Sequence, residues 1–250
     1  MEIHEEVTMK DLKIAAVLKE IIKTGSSLPV IAEDDSGTEY IVKLKGIGDG
    51  VITNITEYIA TCTGFNIGMP VLRPYLININ VNTRIEIKID EFADVIDRSH
   101  GLNICHTYFR NAFPYEKTGK TLAKETTDKI FLFDCFFLNV DRRKAHSDVI
   151  SVGNDIYATD FGSAFLVRGI VNNINFYEDE SILKQIKRSP FYNETIPAKT
   201  VSDMLSSLKS LNVHSIISEL PHEWLMETKD DTESLKIQMA ERLKAYIDND

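Results

Sequence analysis

The sequence predicts an α+β chain of two lobes, strand-rich at first and then helical, with a cleft between them. Three observations predict it. Short apolar or alternating segments broken by turn residues fill the first hundred positions. Apolar residues at helical spacing dominate after about residue 98. No low-complexity stretch or long linker separates the two parts, and 250 residues suffice for one large domain or two small lobes. We therefore expect an N-lobe over 1–98, built of helix and antiparallel strands, and a helical C-lobe over 99–250. A small ligand is expected in the cleft between them.

The elements follow in chain order. Leu12, Ile14, Ala15, Val17, Leu18, Ile21 and Ile22 form a helical stripe within Met9–Lys23. Val30–Ala32 and Tyr40–Leu44 read as strands, with the Asp-Ser-Gly chemistry of a hairpin turn between them. "VITNITEYIATCTGF" reads as a helix with Gly64 near its end. "MPVLRPYLINI" and the alternating "RIEIKI" read as strands, and Pro70 and Pro74 suggest an edge position for the first. Thr126–Leu138 is apolar on nearly all faces, as a buried central helix would be. A hairpin is expected over Val149–Asp160, with Gly153-Asn154 at its turn. Segments near 180–187, 199–219 and 230–248 read as surface helices.

Composition excludes several classes. A net charge of −10 argues against tracking a nucleic-acid backbone. The acidic start "MEIHEEVTMK" is no signal peptide, and "IFLFDCFFL" is too short and too charged to span a bilayer. Cys62, Cys105 and Cys135 are scattered and odd in number, which fits a reducing, cytoplasmic setting. "HGLNICH" has no second ligand pair to make a zinc site, so it reads as a loop with ordinary His and Cys.

The residues that carry chemistry are few. Phosphoryl transfer needs a cation on the phosphates, carboxylates on magnesium and a carboxylate to orient the acceptor hydroxyl. Lys43 sits mid-strand in "YIVKLKG", with its neighbours on the opposite face. Glu57 on the following helix is placed to pair with it. Asp141 opens the polar loop after the central helix, and Asp160 opens "DFG". A lone strand lysine is ordinarily solvated, a three-letter motif proves little, and a loop aspartate is ordinarily a turn or cap residue. It is their order that matters, because a short hairpin would return the chain and bring both aspartates to one place. Asp134 lies in the apolar central helix and needs buried partners, for which the backbone of the polar loop is a candidate. "RRK" at 142–144 reads as a solvated charge cluster or a contact for an acidic or phosphate-bearing substrate.

The chain resembles the HipA-like serine/threonine kinases, in particular their compact single-domain members. "GSSLPVIAEDDSGTEYIVKLKG", "NITEYIATCTGFNIGMPV", "GLNICHTYFRNAFPY", "FDCFFLNVDRR" and "LPHEWL" follow the family's segments in order, and the Asn-x-Asp-Arg loop is the most specific of them. The resemblance implies a two-lobed protein-kinase-like fold with an ATP cleft. It makes Asp141 the catalytic aspartate, Asp160 a metal ligand, Lys43 the contact to ATP phosphates and Glu57 its helix partner. It puts Ser26 and Ser27 in the phosphate loop, where some relatives autophosphorylate. The family has Asn five residues after the catalytic Asp, but this chain has His146, which suits softer metals than magnesium. Four alternatives stay open there: His146 touches a phosphate, Asp148 supplies the second metal oxygen, activity is weakened, or manganese is preferred. The expected cofactors are ATP and Mg2+, with Mn2+ as the alternative. The expected partners are a protein substrate and an antitoxin or regulatory protein, with no membrane and no direct nucleic-acid binding. Two other readings remain beside the active kinase: a nucleotide-binding pseudokinase that regulates a partner, and an adenylyl transferase on a kinase fold.

Overall fold

The computed structural model describes residues 12–22, 27–119, 121–143, 147–228 and 231–249. Ser26 and His146, and with them part of the expected phosphate loop and catalytic loop, lie outside the described residues.

Six strands form the first sheet: β1 (Leu12–Ile21), β2 (Val30–Asp34), β3 (Glu39–Lys43), β4 (Tyr75–Ile79), β5 (Arg84–Ile85) and β6 (Gly101–Thr107), in the order β2-β3-β6-β4-β1-β5. Because β2 also pairs with β1, five of them close into a ring and β5 remains as an outer edge. β1 runs parallel to β4 and β5, so the sheet is mixed rather than antiparallel.

β1 occupies the stretch whose apolar spacing suggested a helix. Its pairing with β2 slips between Ala15 and Val17 and again between Leu18 and Glu20. Each slip inserts one extra residue, so Ala15, Leu18 and Ile21, three apart, all face the small core. A bulged strand can therefore imitate helical periodicity. β4 is also not an edge: it lies between β6 and β1, and the prolines precede it, where no ladder donor is needed. Of "RIEIKI" only Arg84–Ile85 pairs, against the second half of β1. "HGLNICH" is not a loop but most of β6, an interior strand, so the sheet continues past the boundary drawn at 98/99.

α1 (Val51–Asn66) leaves the sheet and packs against β6 and the helical body. It is buried continuously from Asn54 to Gly64. A Cβ on Gly64 would meet Val71 at 3.1 Å and Phe133 at 3.2 Å, so glycine lets α1 lie close to the central helix. α2 (Ala93–Arg98) covers one side of the sheet, where Ala15, Leu18, Val42, Ile77, Phe92 and Ile96 share a small core.

The central helix, α3 (Lys124–Phe137), runs through the larger core. A small second sheet follows, β7 (Ala112–Pro114) beside the hairpin of β8 (Val149–Val152) and β9 (Asp155–Ala158), with its turn at Gly153-Asn154 as expected. α4 (Phe165–Asn172) and α5 (Glu180–Ile186) come next. The helix expected over 199–219 is two helices, α6 (Ala198–Lys209) and α7 (Val213–Ser218), because Asn212 caps the second by accepting the Ser215 N–H at 3.1 Å. α8 (His222–Met226) and α9 (Thr232–Asn249) end the chain, and α9 buries Leu235, Met239, Leu243 and Ile247 in the larger core. No helix among the described residues is long and apolar enough to cross a membrane.

Candidate active site

Tyr40 and Val42 point into the small core, so Ile41 and Lys43 take the opposite face of β3. There the Lys43 ammonium donates to Glu57 Oε2 at 2.8 Å and to Asp160 Oδ1 at 2.5 Å. Three expected site residues thus meet in one contact. Burial works against the charged Lys43, but the charges of Asp160 and Glu57 overcome it and hold the ammonium well above the ordinary lysine value. Burial likewise pushes Glu57 up, whereas Lys43 and His106 together bring its carboxyl down to about 2. Glu57 Oε2 also accepts the Phe161 N–H at 2.7 Å, so one carboxylate fixes both the lysine and the turn after Asp160.

That turn is tight. Asp160 has φ 63°, a left-handed conformation that costs a non-glycine residue about 1–2 kcal/mol. Leu138 and Asp148 share it, at 54° and 48°. A Cβ on Gly162 would lie 2.7 Å from Thr53 Cγ2, so only glycine lets the turn rest on α1. α4 begins at Phe165, three residues beyond Gly162.

Arg142 ties the segments around these residues together. Its guanidinium donates to Asp134 Oδ2 at 2.6 Å, to the Ser147 carbonyl at 2.6 Å and to the Asp148 carbonyl at 2.9 Å. It reaches the Thr159 carbonyl at 3.4 Å and stands over the Phe161 ring at 5.1 Å. Asp141 precedes Arg142 and Asp160 follows Thr159, so this contact ties the segments that carry the two aspartates to one another. Arg142 is therefore not the substrate contact that "RRK" suggested, since it is 1% exposed and committed to the interior. Asp134 has the buried partners expected of it, though they are the Arg142 and Asn139 side chains rather than backbone.

Asp148 completes the cluster. Burial, and next the Asp160 carboxylate, push its carboxyl up to about 7, with Asp141 adding to the repulsion. Carboxylates that repel one another in a partly buried pocket are oxygen donors of the kind magnesium and manganese take. Among the described residues no group of three His, Cys, Asp or Glu side chains could cage an ion alone. Ser27 is half-buried in the connection between β1 and β2, next to residues outside the described set.

Two features escaped the sequence reading. His106 on β6 approaches Glu57 Oε1 at 3.6 Å. Phe109 and Tyr157 lie parallel, with ring centroids 6.4 Å apart, on either side of the junction between the two sheets. The alternation Leu102, Ile104, His106 was the available signal for β6, and the flanking histidines obscured it.

A family model described as HipA-like kinase matches residues 14–249. Among solved structures, a Helicobacter pylori proinflammatory kinase, CtkA, superposes with a TM-score of 0.55 at 13% identity, covering 94% of this chain and 96% of that one. A Golgi casein kinase with Mn/ADP bound gives 0.50 at 14% identity, covering 94% of this chain and 72% of its own. These two likenesses show a shared protein-kinase-like fold. No curated protein matches the sequence.

Proposed function

The chain belongs to the HipA-like kinase family, and we propose that it is an ATP- and divalent-metal-dependent kinase that transfers the γ-phosphate to a Ser or Thr hydroxyl of a protein. The observation that carries this reading is Lys43 clasped between Glu57 and Asp160, with Asp148 and Asp141 close enough to act on the same charges. In use, Lys43 would turn from Asp160 to the nucleotide phosphates while Glu57 keeps it in place. Asp160 and Asp148 would hold the cation, Mg2+ or Mn2+, whose role is to neutralise charge between the phosphates. The Mn/ADP of the Golgi casein kinase supports nucleotide and metal at this cleft. Asp141, 44% exposed, would orient the acceptor hydroxyl. α4 starts soon after Gly162, so the stretch between Asp160 and the next helix is short. Scattered free cysteines support a reducing, cytoplasmic setting. A toxin-like role and an antitoxin or regulatory partner rest on the family resemblance.

The test is incubation of wild type and Asp141→Asn with γ-labelled ATP and either metal, with a protein acceptor screen, read by label and intact mass. Transfer of about 80 Da to a Ser or Thr by the wild type alone is expected. Absence of transfer to any acceptor, or an AMP-sized gain, overturns the reading.

A further inference from the structure

Glu57 is buried and has two oxygens to satisfy. Oε2 serves Lys43 and the Phe161 N–H, while Oε1 faces His106 Nε2 at 3.6 Å. The other ring nitrogen, Nδ1, lies 3.1 Å from the Arg73 carbonyl oxygen. A carbonyl only accepts, so Nδ1 must carry a proton. A neutral ring protonated there would aim its Nε2 lone pair at a carboxylate. Acceptors at both nitrogens therefore select the doubly protonated ring. The charged groups around it are Glu57 from α1, then Lys43 from β3 and Asp160 beyond the carboxylate. The Arg73 guanidinium, on the segment before β4, stands over the Phe65 and Tyr75 rings at 5.6 and 5.7 Å. The histidine is 6% exposed, so water offers little alternative.

We propose that His106 is a positioning residue that, as an imidazolium, pins Glu57 Oε1 and so leaves Oε2 to aim Lys43 and to hold the turn after Asp160. A carboxylate held by one oxygen alone can swing about its terminal bond, and every swing would carry Lys43 and the Phe161 backbone with it. Held at both oxygens, it keeps the phosphate-binding ammonium and the metal-side turn in one arrangement. The consequence for catalysis rests on the phosphotransfer reading, but the contact can be tested without it.

In 15N-labelled protein at about pH 7, the His106 ring signals, identified by their loss in His106→Gln, should show both nitrogens protonated. Glu57→Gln should leave the ring neutral. A neutral ring in the wild type, or one unaffected by Glu57→Gln, overturns the proposal whether or not the protein transfers phosphate. Where transfer is measured, His106→Leu should lower kcat about tenfold at unchanged nucleotide KM, and His106→Gln should recover part of the loss. In the Glu57→Gln background His106→Leu should add nothing, whereas an equal fall in both backgrounds would reduce His106 to a packing residue.

Discussion

Asp134 and Arg142 form an ion pair at 2.6 Å in which neither side chain reaches solvent. The carboxylate comes from the last turn of α3, and the guanidinium from the loop that follows it. The remaining guanidinium donors go to carbonyls on both sides of the β8–β9 hairpin. One buried cation thus joins the central helix, the loop that presents Asp141 and the strand that leads to Asp160.

Breaking that pair should cost more than its net contribution to stability, because the surviving charge is left unpaired in the interior. Arg142→Ala and Asp134→Ala should each lower stability by about 3–5 kcal/mol, and the double variant by less than the sum. Denaturant unfolding checks this. Arg142→Lys keeps the charge but cannot reach several carbonyls at once, so it should retain only part of the stability.

Lys43→Met removes the cation between Glu57 and Asp160 and should reduce phosphate transfer about 100-fold or more. Asp160→Asn should leave the Lys43–Glu57 contact in place but abolish the metal-dependent part of the thermal shift given by ATP. It should also let the Asp148 carboxyl fall from about 7, since the Asp160 charge helps to raise it. Thermal shifts with and without Mg2+, read beside labelled-ATP assays, separate the two variants.

The Glu57 carboxyl gives an acid-side signature. Its ordinary value is 4.5 and the fold holds it near 2. A depressed carboxylate adds stability that is complete above the unfolded value and is lost as pH falls through the folded one. The wild type should therefore lose roughly 3 kcal/mol between about pH 5 and pH 2 that Glu57→Gln does not lose. Parallel melting curves for the two proteins across that range would contradict it.

The residues that meet at Lys43 were legible because each lies in a short motif and the motifs fall in a fixed order. The β8–β9 hairpin was legible from Gly153-Asn154. β1 was not, because two bulges put Ala15, Leu18 and Ile21, three apart, on the same side and imitate a helix. β6 was not, because its end histidines and Gly101 look like loop chemistry until β3 and β4 are seen on either side. Arg142 looked solvated beside Arg143 and Lys144, and only its long-range partner Asp134 makes it internal. These three misses therefore depend on contacts between distant segments, which local periodicity does not report.

α8 is joined to the strand that carries His106 through one residue of that strand. Leu102 of β6 gives its N–H to Glu223 Oε1 at 2.5 Å, and its carbonyl accepts the Trp224 Nε1–H at 2.7 Å. Neighbouring side chains of one short helix thus cap both backbone groups of one strand residue. Gly101, at φ 96°, permits this approach, since a Cβ there would come 2.5 Å from Glu223 Oε1. Trp224 is fully buried, with Tyr58 of α1 edge-on at 6.1 Å. Trp224→Phe keeps most of that packing but leaves the Leu102 carbonyl without its donor, so it should cost about 1–3 kcal/mol. Glu223→Ala should cost less, because that side chain is 42% exposed and its Lys45 contact is partly screened. Hydrogen exchange is the measurement that distinguishes a local effect from a general one. The Leu102 amide and its neighbours on β6 should lose protection in both variants, while α3 amides keep theirs. Since β6 pairs directly with β3 at Lys43–Ile104, loosening it should also lower kcat without displacing any residue that touches the nucleotide phosphates. Unchanged β6 protection in both variants would mean that α8 merely covers the strand and does not hold it.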